Sequence, residues 1–196
     1  MSNYTTKIDE LLKEAGAIRN SDPVKSITLI NEAISIAREK NDKPKEIKCL
    51  IGIALTHQTS SRFSEALETL VRALDISMEI NSDECISDCY SGFGNTYFYL
   101  NDNDRALKYH LDGLKLREKG TDQSRIAFSI NSVGVVYATM ANFQLAEEFF
   151  QRSLDMNTKL NNIFGIRMAM NNIGVASFEQ KKYDKSIKIL LAALPG

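Results

Sequence analysis

The chain has 196 residues with 24 basic and 25 acidic side chains, a formal net charge of −1. That balance excludes a sequence-independent nucleic-acid binder, which needs a basic face to displace counterions from phosphates. No apolar run approaches the roughly 18 residues of a membrane-spanning helix.

Asp9 and Glu10 interrupt the apolar stretch a secretory leader would need, so none is expected. Cys49, Cys85 and Cys89 are odd in number and lack zinc-ligand spacing, which fits reduced, buried thiols in a cytoplasmic protein. Three prolines, no tryptophan and evenly spread charge predict helices throughout and no strand.

The predicted helices come in pairs. The first pair, over about 3–41, is degenerate: Glu14 stands where later pairs carry a small residue, although Leu11, Leu12 and Ile18 keep an apolar face. Its second helix follows a turn at Asn20–Asp22 and carries Ser26, Ile30 and Ala33. The second pair, 42–81, has Ala54 and His57, a turn at Ser60–Arg62, then Ala66, Leu70 and Ala73. The third, 82–120, has Gly94 and Tyr97, a turn at Asn101–Asn103, then Ala106, His110 and Gly113. The fourth, 121–161, has Gly134 and Tyr137, a turn at Ala141–Asn142, then Ala146, Phe150 and Ser153. The fifth, 162–196, has Gly174 and Ser177, a turn at Lys181–Lys182, then Ser186, Leu190 and Ala193. Every step is 40 residues.

Small residues at i and i+7 with a bulky one at i+4 make one stripe on a helix. The small residues let a neighbouring helix approach and the large one fills the space beside it. Glycine inside a helix costs about 1 kcal/mol against alanine, so Gly94, Gly134 and Gly174 in register require a packing reason. Between pairs, turns are predicted at Asn41–Asp42, Asn81–Ser82, Gly120–Thr121 and Asn161–Asn162. Asn and Gly suit the left-handed residue after a helix, and Asp, Ser or Thr caps the next one. The last helix, from about Tyr183 to before Pro195, leaves Ile187, Leu190, Leu191 and Leu194 without a closing polar helix. Two readings follow: a fragment of a longer protein, which we expect, or a homodimer contact through this C-terminal helix.

This pattern resembles the tetratricopeptide repeat. F-G-N-T-Y (93–97) and V-G-V-V-Y (133–137) match its first-helix signature, and A-L-K-Y-H-L-D-G (106–113) and A-E-E-F-F-Q-R-S (146–153) its second. The period is 40 residues and not the usual 34, and tryptophan and the inter-unit proline are missing. The long period and N-N-I-G at 171–174 are similar to the repeats of bacterial peptide-sensing regulators, sensor regions before cyclase or kinase domains, kinesin light chains and Pins-type adaptors. The resemblance implies an all-α, right-handed solenoid of about five units in a single domain, 1–196. It also implies that the first helices line a concave groove holding a peptide or protein segment.

If so, residues 40 apart form rungs. The groove candidates are Lys48, Ser91, Asn95, Phe98, Tyr99, Phe128, Asn131, Arg167, Asn171 and Phe178. Few are charged, unlike the basic clusters that grip acidic tails. Mid-helix asparagines cost about 0.6 kcal/mol each, and a carboxamide both donates to and accepts from a ligand backbone. The alternative is that they bond neighbouring helices, and that the aromatics only pack.

His57 and His110 sit in packing slots. N-D-N-D (101–104) lacks the glycine and closing glutamate of a calcium loop, and G-F-G (92–94) lies inside a helix without a preceding strand. No catalytic residues, cofactor, metal, nucleic acid or membrane contact is expected. The predicted function is a non-enzymatic peptide- or protein-binding scaffold, the sensory or adaptor part of a larger signalling protein. The alternative is a dimerisation module.

Overall fold

The computed structural model describes residues 3–194, so the predicted helix stop at Pro195 and the last two positions of the fifth pair lie outside the described residues. Ten α-helices and no strand occur among the described residues: α1 (Asn3–Ile18), α2 (Pro23–Glu39), α3 (Lys43–Thr59), α4 (Phe63–Glu79), α5 (Asp83–Tyr99), α6 (Asn103–Arg117), α7 (Gln123–Thr139), α8 (Phe143–Lys159), α9 (Ile163–Glu179) and α10 (Tyr183–Ala193). Eight of these keep a length of 16 or 17 residues. They group into two compact units, 1–101 and 102–196.

The turns explain the regularity. Asn41, Ser61, Asn81, Asn101, Ala141, Asn161 and Lys181 all have φ between 51° and 61°. Each follows a helix end and is reversed into the left-handed region, which frees the next two amides to bond back. After α2, Asn41 N–H donates to Arg38 O (3.0 Å) and Asp42 N–H to Ala37 O (2.8 Å). The same pair of bonds recurs at Arg62, Ser82, Asn142, Asn162 and Lys182. These are Schellman closures, and they satisfy carbonyls a helix end otherwise leaves unpaired. The residue that closes one helix also starts the next: the side chains of Asp42, Ser82, Asn142 and Asn162 accept the amide three residues on.

Gly120 departs from expectation, because no glycine has positive φ among the described residues. Helix α6 ends at Arg117, two residues before its register, so the turn lengthens to 118–122 and needs no left-handed residue. Conversely, Ala141 holds φ 58° without the side-chain help an asparagine has. A left-handed L-residue costs about 1–2 kcal/mol, so Ala141→Gly is expected to stabilise the chain by about 1 kcal/mol, a rise of about 2–4 °C in Tm. A fall in Tm on thermal melting would contradict this.

In the first unit the core gathers Ile8, Leu11, Ile30, Ile34, Ile47, Leu50 and Ile53 with the small residues Ala33, Ala73 and Cys89. In the second, Leu114, Ile126, Ile130 and Val133 form one cluster and Ala146, Phe150, Ile173 and Ala176 another. The small-residue slots at 26, 66, 106, 146 and 186 are all buried. Where a serine replaces alanine there, its hydroxyl finds a carbonyl: Ser26 Oγ donates to Ala15 O (3.0 Å) and Ser186 Oγ to Gly174 O (2.8 Å). A buried hydroxyl needs such a partner.

The bulky slot wedges between first helices. A Cβ on Gly134 would lie 2.6 Å from the Phe150 ring, and one on Gly174 2.5 Å from Leu190. A second glycine series, not singled out from sequence, faces the preceding pair: a Cβ on Gly92 would meet Leu70 at 2.5 Å, while Gly52 keeps an ordinary 3.5 Å from Ile30.

Candidate functional site

In the first unit, Lys48 is exposed on α3 and its ammonium lies 3.0 Å from Asp9, which also binds Lys45 at 2.8 Å. Both lysines hold the Asp9 carboxyl below its ordinary pKa, chiefly through these hydrogen bonds. Ser91 turns its hydroxyl onto Ser87 O of its own helix (3.0 Å). Asn95 is half-buried, and its side chain makes no hydrogen bond among the described residues. Tyr99 is exposed, stacks on Phe63 at 6.2 Å and meets Phe98 edge-on at 6.1 Å. Gln58, on the same rung as Phe98, is buried. Its Nε2 donates to Gly92 O (3.1 Å) and Thr96 Oγ1 (2.7 Å), tying α3 to α5.

In the second unit, α7 and α9 lie side by side. Asn131 is only 5% exposed, and its Oδ1 accepts from Asn172 Nδ2 at 3.0 Å. That is the interhelical use of the carboxamide, and the partner is Asn172, one residue beyond the rung. Asn171 itself is exposed, and its side chain makes no hydrogen bond among the described residues. Phe128 is 51% exposed on α7. Arg167, early in α9, is exposed, and Phe178, late in α9, is exposed with its ring 5.5 Å from Tyr183.

Between these helices opens a cleft of about 420 Å³. Val135, Ala138, Val175 and Ala176 form its walls, Phe143 and Phe150 of α8 line it as well, and Asn172 and Glu179 supply polar groups. By the 40-residue register Val135 and Val175 share a rung with Asn95, Ala138 with Phe98 and Phe178, and Thr139 and Glu179 with Tyr99. The available signal was Ala138 itself, small on a rung whose other members are Gln58, Phe98 and Phe178.

Cys49, Cys89 and His110 are shielded from solvent, and Cys85 is half-buried. Burial pushes the Cys49 thiol up to about 12 and Cys89 to about 11. His110 is pulled down to about 4, by burial first and then by Arg117. No cluster of three His, Cys, Asp or Glu side chains suits a metal ion among the described residues.

Residues 87–120 match the family model described as Tetratricopeptide repeat, over the stretch that carries Gly94, Tyr97 and Ala106. That stretch matches one tetratricopeptide repeat, and the described helix pairs share the tetratricopeptide-repeat fold. Tetratricopeptide repeat protein 29 of Macaca fascicularis is 21% identical over 143 residues, 73% of this chain and 30% of that protein. The chain therefore spans about 30% of the length of this curated relative.

The tetratricopeptide fold also matches a signal-transduction ATPase with a tetratricopeptide-repeat sensor from Pyrococcus horikoshii. The TM-score is 0.82 at 20% identity, over 97% of this chain and 29% of that one. A Rap protein solved with competence and sporulation factor matches at TM-score 0.71 and 13% identity, over 98% of this chain and 65% of that one. At these identities the likeness is one of fold.

Proposed function

We propose that this chain holds an extended peptide or protein segment against the first-helix face, without catalysis, as the sensory or adaptor region of a larger cytoplasmic signalling protein. The observation that carries this is the inner face of α7 and α9. It combines the exposed ring of Phe128, the unbonded carboxamide of Asn171 and an apolar cleft. An exposed aromatic on one helix and an exposed amide on the other offer stacking area and a donor–acceptor pair, the chemistry that grips a peptide backbone and its side chains. The Rap protein bound to competence and sporulation factor supports the reading by likeness of fold.

Phe128→Ser with Asn171→Ala changes two exposed side chains, so the fold should persist. Pull-down with the variant is expected to lose partners that the wild type retains, and equal retention by both would refute the reading.

The second reading, a dimerisation module, is favoured by α10, where Ile187 and Leu191 are 57% and 63% exposed. Their spacing of four places them on one stripe. Light scattering is then expected to give a dimer for wild type and a monomer for Leu191→Glu; a wild-type monomer removes this reading.

A further inference from the structure

The cleft at Ala138 corresponds by register to a space that the first unit fills. There, Gln58 projects from α3 onto Gly92 O and Thr96 Oγ1 of α5. Eighty residues on, the same positions are Ala138, Asn172 and Ala176, and all three line the open cleft between α7 and α9. With alanine in place of the glutamine, and its two partner positions changed as well, these residues bound a cleft. Its walls are mostly apolar, and Asn172 is held in place by its bond to Asn131.

A small-residue gap of this kind normally collapses or fills, because voids forfeit contacts. Here it is kept open to solvent at the inner face. The one charged group in the lining is Glu179, exposed and in no ion pair among the described residues. The nearby Lys182 is engaged by Gln180 (2.7 Å) and Glu147 (3.8 Å).

We infer that this cleft is a side-chain pocket for the partner segment, taking a large aliphatic or aromatic residue with a Lys or Arg beside it that pairs with Glu179. The inference rests on the peptide-binding reading above and specifies its chemistry. Apolar walls reward a Leu or Phe over a polar side chain, and an unpaired rim carboxylate selects against an acidic neighbour.

The test uses the full chain and an array of extended synthetic decapeptides. One central position is Ala, Leu, Phe or Glu, and the next is Lys, Ser or Asp. The wild type is expected to retain Leu–Lys and Phe–Lys peptides above all others. Ala138→Gln restores the plug seen in the first unit and should fold as wild type by circular dichroism. It is expected to weaken those peptides by about tenfold or more. Glu179→Lys, an exposed change that leaves the core untouched, is expected to keep the Leu and Phe preference and switch the neighbour from Lys to Asp. Binding that is indifferent to both variants overturns the pocket while leaving the peptide-binding reading standing. Absence of binding by any peptide to the wild type overturns both.

Discussion

Replacing Gly134 with leucine is expected to cost the fold about 3 kcal/mol, read as an earlier urea midpoint at unchanged slope. A Cβ built at this position stands 2.6 and 2.7 Å from two ring carbons of Phe150 and 3.2 Å from the Phe149 Cβ. Phe150 is 2% exposed and sits in the cluster with Ala146, Ile173 and Ala176. The ring is held in that cluster, so a leucine at 134 must push it toward the cleft or part α7 from α8. Two effects oppose each other in the smaller change Gly134→Ala. Helix propensity favours alanine by about 1 kcal/mol, whereas overpacking costs about 1–3 kcal/mol, so the balance is destabilising.

Gly52→Ala supplies the control. Its Cβ would rest 3.5 Å from Ile30 and 3.7 Å from Leu12, in ordinary contact, so only the propensity gain remains and stability should rise by about 0.5–1 kcal/mol. Opposite signs at two glycines of the same fold would show that approach distance decides the outcome. An unchanged midpoint for Gly134→Leu would refute the close packing of Phe150 against α7 at this position.

The register that makes Gly134 readable is also the part of the fold most open to sequence reasoning. Ser26, Ala66, Ala106, Ala146 and Ser186 recur because each stacked pair must repeat one contact, so periodicity in residue size reports it directly. The caps at Asp42 and Ser82 were readable for a similar reason, since their chemistry is local. What depends on the offset between helices was not. Asn131 bonds Asn172, 41 residues on, and Gln58 reaches residues 34 and 38 away, contacts fixed by rotamers and helix placement.

The left-handed turns were half readable. Asn41, Asn81, Asn101 and Asn161 carry the residue that conformation prefers, but Ser61, Ala141 and Lys181 are forced into it by a turn closed on both sides. Gly120 misled because α6 stops early. The cleft at Ala138 lay in plain view as a size change along a rung. Its meaning required seeing Gln58 occupy the matching space.

Between pH 7 and pH 5 the chain is expected to lose about 2 kcal/mol of stability through His110 alone. This side chain is 5% exposed, and its pKa is lowered to about 4 from an ordinary 6.5 by burial and by Arg117 on the same helix. The folded pKa is depressed, so the stabilisation is fully present above 6.5. As pH falls below that value the unfolded chain takes up the proton while the folded chain refuses it, and the loss continues until about pH 4. His57, which burial also lowers, adds to the slope in the same direction. The lowered carboxyls of Asp9 and Glu147 act in the same direction but in a more acidic window.

His110→Leu isolates the contribution. Leucine already occupies this slot at Leu70, fully buried, so the variant should fold at pH 7. Its urea midpoint should then fall less than that of wild type between pH 7 and pH 5. Parallel decline of the two proteins would show that His110 is free to take up its proton in the folded state, and that the slot is not as dry as its packing implies. The bulky slot asks only for volume, and a histidine placed there gains no partner for its charge. Acid lability is therefore a consequence of the same stripe that holds the helices together.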